Sequence, residues 1–183
     1  MCSKSYKYLF LEHSKLGQKT NINKPNEIID KCIKLAWQDM LTAGRYYNLN
    51  KNIIVKYKKI LKKYLYNNPT SIIEETLNLF GNKEKIKVTI KGKPKYVTRY
   101  GLCQKLVNMT FKYFFIFSDY TKLNIDFSKC DCPLDSVILD KINYRKTVWS
   151  KLDKNQYIEC QNLIKKELTK TSLNRKNKSN NKR

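Results

Sequence analysis

Apolar residues recur at spacings of three and four along most of this chain, and that rhythm changes once, between Lys83 and Arg99. Such spacing puts apolar side chains on one face of a helix. From about Asn26 to Ala43 the stripe is Ile28, Ile29, Cys32, Leu35, Ala36, Met40 and Ala43, opened by Pro25 and stopped by Gly44. From about Asn50 to Tyr66 it is Ile53, Ile54, Tyr57, Ile60, Leu61, Tyr64 and Leu65, with Lys56, Lys58, Lys59, Lys62 and Lys63 over the rest and no acid among them. A third helix begins at Asn68-Pro69 and ends at Phe80-Gly81. A fourth runs from about Arg99 to Phe117, and a loop follows over 118–132. A short helix starts near Pro133, and a last one follows Asp153, a good N-cap, ending near Thr169.

Where the rhythm changes, Ile86-Lys87-Val88-Thr89-Ile90 alternates, Lys91-Gly92-Lys93-Pro94 turns, and Lys95-Tyr96-Val97-Thr98 alternates again. That is the pattern of a β-hairpin. The predicted fold is therefore mostly α: a single compact helical domain over residues 1–170, with a small inserted basic hairpin at about 83–98. Residues 1–24 read as an arm packed on the domain. Residues 171–183 are polar, basic and low in complexity, the composition of a disordered tail. No internal repeat is evident.

Thirty-eight basic against fifteen acidic residues give a formal net charge of +23. Such an excess points to polyanionic partners, DNA, RNA or an anionic surface, and the expected partner is nucleic acid or a nucleoprotein complex. An A/T-rich genome would also enrich lysine, asparagine, isoleucine and tyrosine, although it would not by itself deplete acids. The cations are mostly lysines, point charges suited to phosphate rather than to base edges. The candidate phosphate contacts are Lys58, Lys59, Lys62 and Lys63 on the second helix, Lys87, Lys91, Lys93, Lys95 and Arg99 on and beside the hairpin, and Lys112. The alternative for the hairpin is a solvated edge whose lysines discourage strand addition.

The six cysteines come with no signal peptide, which favours reduced thiols in a cytoplasm. No apolar run approaches the ~18 residues of a membrane span. Cys130-x-Cys132 is half a metal site without a second half, and His13 is the only histidine. Neither a metal nor a cofactor is expected, and the sequence sets no oligomeric state. No Gly-rich phosphate loop, Ser-His-Asp set or paired catalytic carboxylates occur.

The fourth helix carries the most specific chemistry. Leu106, Met109, Tyr113, Ile116 and Phe117 make its apolar face, and Lys105 and Lys112 fall beside that face. A lysine there either snorkels or is partly desolvated, and a desolvated amine is a nucleophile. Asp135, in Cys132-Pro133-Leu134-Asp135-Ser136, supplies a carboxylate that either assists the amine or simply caps the short helix. Trp37, Asp39, Cys103 and Trp149 read as packing and capping residues, with Trp149 also able to stack a base.

Gln104-Lys105 at the start of an aromatic-rich helix, followed by Pro133-Leu134-Asp135, resembles the catalytic region of helix-hairpin-helix DNA glycosylase/lyases, the archaeal 8-oxoguanine type most nearly. The resemblance covers residues 99–140. It implies that Lys105 attacks the anomeric carbon of the sugar and that Asp135 assists it. The other functional expectation is a non-enzymatic basic binder, or an inhibitor of a nucleic-acid-handling complex of the kind a phage or mobile element carries as counter-defence.

Overall fold

A computed structural model describes residues 24–44, 52–64, 69–90 and 93–180. The elements are α1 (Pro25–Gly44), α2 (Asn52–Tyr64), α3 (Pro69–Leu77), β1 (Lys85–Ile90), β2 (Lys93–Thr98), α4 (Arg99–Ile116), α5 (Ser118–Thr121), α6 (Ser136–Lys141) and α7 (Lys154–Asn180). Short 3-10 turns lie at Asn78–Phe80, Phe127–Lys129 and Trp149–Lys151. The fold is mostly helical with one two-stranded antiparallel hairpin, as the periodicity requires. The expected arm at 1–24 lies outside the described residues, except for Lys24 at its end.

Helix α4 is the axis of the molecule. It packs against α1, α3, β2 and the 149–151 turn. Every residue from Tyr100 to Phe111 is buried, as are Tyr113 and Phe114, while Lys112 and Phe115 face solvent. The one-sided amphipathic helix expected from sequence is thus corrected to a helix enclosed on nearly all sides. The polar residues that suggested a wet face are satisfied internally. Thr110 donates to the Leu106 carbonyl at 2.8 Å and accepts from the Tyr57 hydroxyl at 3.1 Å. Burying each of Tyr57, Phe111, Phe114 and Phe117 contributes roughly 1.5–3 kcal/mol.

Local chemistry sets the boundaries. Gly81 takes φ of +79° at the end of the α3 segment, a conformation that suits glycine. The Arg99 guanidinium donates to the Gly81 carbonyl and ties that turn to the start of α4. The hairpin register pairs Lys85 with Thr98, Lys87 with Tyr96, Val88 with Lys95 and Ile90 with Lys93. Lys93 and Pro94, expected in the turn, therefore belong to β2. Proline is tolerated there because each strand of a two-stranded ribbon has an unpaired edge. Val88 and Val97 face the core.

The short helix begins at Ser136 rather than near Pro133. Asp135 is its N-cap, accepting from the Ile138 amide at 3.0 Å. The loop over 118–132 contains α5 and a 3-10 turn. Asp153 and Gln156 cap α7 reciprocally, at 2.9 and 3.1 Å. That helix continues to Asn180, past the expected end near Thr169 and into the segment read as a disordered tail. Residues 169–180 contain neither proline nor glycine, so no local signal stops it. No helix among the described residues is long and apolar enough to cross a membrane.

Candidate functional site

Two amide side chains clamp the extended segment 131–135 into place. Gln104, fully buried on α4, donates to the Leu134 carbonyl and accepts from the Leu134 amide, both at 3.3 Å. Gln161 on α7 does the same to Cys132, at 2.7 and 3.1 Å. Between them Asn108 donates to the Tyr157 hydroxyl at 2.9 Å, and Tyr157 donates to Asp131 at 2.8 Å. Burial, reinforced by Asp131, holds the Tyr157 phenol far above its usual range. A backbone segment without regular structure is thereby fixed at both ends, and the amides and carbonyls of Cys132 and the buried Leu134 are satisfied.

The clamp sets Asp135 beside Lys105. The Lys105 Nζ lies 3.3 Å from one oxygen of Asp135, and the other oxygen caps α6. The lysine side chain is 4% exposed and the aspartate 38%. Burial lowers the Lys105 pKa below that of an ordinary lysine, the nearby Asp135 opposes the shift, and Lys112 adds to it. Desolvation is thus the stronger influence on this amine.

Trp149 completes the group. Its buried ring lies with its centroid 5.7 Å from the Lys105 Nζ, within cation–π range. Gly101 permits the approach: a Cβ there would stand 2.7 Å from the Trp149 carbonyl oxygen and 2.9 Å from the Ser150 carbonyl carbon. Thr98 locks the contact, accepting from the Gly101 amide at 3.0 Å and donating to the Leu152 carbonyl at 2.6 Å. The sequence reading paired Lys105 with Asp135 but left Trp149, Asn108, Tyr157 and Gln161 out of the site. The Gly101 spacing before Lys105 was the one signal of a close approach.

Two clefts flank the segment 147–151. One, of about 790 Å³, lies between that segment and the hairpin and is bordered by Lys85, Lys95, Tyr96, Thr147, Val148 and Lys151. The other, of about 450 Å³, is bordered by Ser136, Tyr144, Arg145, Lys146 and Trp149 among others. Trp149 and Ser136, the residue after Asp135, line the second cleft. Lys105 and Asp135 themselves line neither.

The proposed phosphate contacts scatter. Lys95 borders the larger cleft, and Lys87 and Lys93 are exposed on the hairpin. Lys91 lies outside the described residues. Arg99 is occupied by Gly81. On α2, Lys58 pairs with Asp30 at 2.9 Å, while Lys59, Lys62 and Lys63 are exposed, and none of the four lines either cleft. Lys112 is exposed with its Nζ 6.0 Å from the Tyr113 ring. Asp39 accepts a hydrogen bond from Tyr113 and so ties α1 to α4. Among the described residues no cluster of histidine, cysteine, aspartate and glutamate could hold a metal ion, and the five described cysteines are free thiols. Compared with protein-family models, curated proteins and solved structures, the chain matches none.

Proposed function

We propose that this chain binds nucleic acid and that Lys105 is an amine nucleophile for base excision, with Asp135 as its partner. The observation that carries the reading is the desolvated Lys105 amine 3.3 Å from a half-exposed carboxylate, beside Trp149, a residue that lines a cleft. An amine must be neutral to attack, and burial lowers the pH at which Lys105 becomes so. Asp135 is placed to take the proton from the ammonium group. The neutral amine would form a bond to the anomeric carbon of a damaged nucleotide as the bond from that carbon to the base breaks. The base leaves with the electron pair and takes one amine proton. The second amine proton passes to the ring oxygen as the sugar opens, leaving an imine. The net charge of +23 supplies the attraction to the phosphate backbone.

The test is reduction with borohydride during incubation with a damaged-base duplex. Wild-type protein should give a covalent protein–DNA adduct. Lys105→Ala should give none while binding the duplex within about twofold, because one cation among many contributes little to phosphate affinity. A second reading is favoured by the absence of Lys105 from both clefts and by the capping role of Asp135. In it the pair is a strut, and the protein is a non-enzymatic basic binder or an inhibitor of a nucleic-acid-handling complex. Equal trapping by wild type and Lys105→Ala, or no trapping by either, assigns that second reading.

A further inference from the structure

We propose that the cleft between the hairpin and residues 147–151 is a track for single-stranded nucleic acid, with an unpaired base on Tyr96 and backbone phosphates on Lys85, Lys95 and Lys151. The inference rests on the reading that the chain binds nucleic acid, and it assigns that binding to one place. Cross-strand partners in a hairpin share a face. The register therefore puts Lys85, Lys87, Tyr96 and the buried Thr98 on one face, and Lys95, opposite Val88, on the other, from which it borders the cleft along with Val97. Tyr96 is 57% exposed, an expensive position for an aromatic ring with nothing stacked on it among the described residues. Val148 stands across the cleft at 55% exposed, a second apolar surface at its mouth.

The charges around these apolar groups have one sign. Lys85, Lys95 and Lys151 border the cleft, and no acid among the described residues does. None of the three is ion-paired with an acid among the described residues. Elsewhere on the surface several acids are paired: Asp30 with Lys58, Glu74 with Lys154, and Glu159 with Lys146. A positive groove with an exposed aromatic platform is what an unpaired strand needs, since every base has a face to stack and every linkage has a phosphate. A duplex hides its base faces and would leave the ring idle. A volume of about 790 Å³ accommodates more than one nucleotide. The segment 147–151 that forms one wall is the same segment that carries Trp149 to Lys105, so a strand in the track passes beside the candidate site.

The test uses the full chain, a short labelled oligothymidylate, the matching duplex, and polyglutamate as competitor, read by fluorescence anisotropy at low salt. Tyr96→Ala should weaken oligothymidylate binding by about tenfold and Tyr96→Phe should not, because the ring face is what stacks. Lys85→Gln and Lys151→Gln should each reduce the log–log salt slope by about 0.7, the change expected for one phosphate contact on a single strand. Tyr96, Lys85 and Lys151 are surface residues, and circular dichroism checks that each variant keeps its helices. Wild-type binding that Tyr96→Ala leaves unchanged overturns the track while leaving nucleic-acid binding in place. Displacement of the oligothymidylate by polyglutamate at equal concentration, with the same dependence on Tyr96, overturns it in favour of an acidic protein partner. No wild-type binding to either nucleic acid at low salt overturns both the track and the function it rests on.

Discussion

Replacing Gln104 with leucine tests the amide clamp directly. The side chain is fully buried and exchanges two hydrogen bonds with the backbone of Leu134, which is itself fully buried. No other partner of the Leu134 amide or carbonyl is present among the described residues. Leucine is close to glutamine in size, so the change leaves little cavity. It strands two buried backbone groups. Each such group costs about 1–3 kcal/mol. Both bonds are 3.3 Å, at the long end for an N–H to oxygen bond, and Asp135 next door is partly wet. The lower half of the range therefore applies, about 2–4 kcal/mol in total. For a chain of this size that lowers the melting temperature by roughly 4–16 °C. Urea unfolding followed by far-UV circular dichroism measures it. Gln161→Leu at the other end of the clamp should cost less, because Cys132 is only half buried and water can replace the lost bonds. A loss below about 0.5 kcal/mol for Gln104→Leu, or the reverse order of the two variants, would refute the assignment of Gln104 as the residue that fixes segment 131–135.

Two further outcomes follow from the same geometry. Gly101→Ala should destabilise by about 1–3 kcal/mol, since its Cβ meets main-chain atoms of Trp149 and Ser150 that cannot rotate away; a variant as stable as wild type in urea would show that the 149–151 turn is free to move off α4. The native state should also lose stability in alkali: burial raises the Cys32, Cys103 and Tyr57 pKa values, so these groups keep their protons in the folded chain while the unfolded chain releases them near pH 9 and pH 10. Their contribution is intact below about pH 9 and falls by roughly 1.4 kcal/mol per pH unit per group above the unfolded pKa. Lys105 has the opposite sign, because its lowered pKa lets the folded state shed a proton first and regain stability as the pH approaches 10.5. Unfolding curves at a series of pH values should therefore fall above pH 9, and more steeply once Lys105→Met removes that opposing group; a flat profile to pH 11 would contradict the burial of the thiols and the phenol.

The helices were legible because their apolar spacing is regular and their ends carry local signals. Pro25, Pro69, Gly81 and Asp153 all stand at or next to the ends they announce. The hairpin was legible from alternation, but its turn was not, because Pro94 reads as a breaker when sequence alone is considered and as an edge residue once the register is known. The central helix was misjudged for a more general reason. Periodicity equates polar with wet, and α4 buries Gln104, Lys105, Asn108 and Thr110. Each finds its partner on a segment distant in sequence: Leu134 for Gln104, Asp135 for Lys105, Tyr157 for Asn108 and Tyr57 for Thr110.

That failure and the candidate site have one origin. A polar residue buried at the centre of a helical domain is costly unless it is bonded, so its presence marks a place where the fold is holding something other than apolar surface. On α4 four such residues lie within two turns, and three of them face the 131–135 segment and α7. Gln104 and Asn108 spend their hydrogen bonds on holding that segment. Lys105 has no backbone to hold: its nitrogen meets the free oxygen of a capping carboxylate and the face of Trp149. A structural cation could have been replaced there by an apolar side chain of similar length at little cost, since buried ion pairs seldom stabilise a fold more than good packing does. The amine in that position, with its charge disfavoured by burial and its nitrogen 3.3 Å from Asp135, is the observation on which the proposed nucleophile rests.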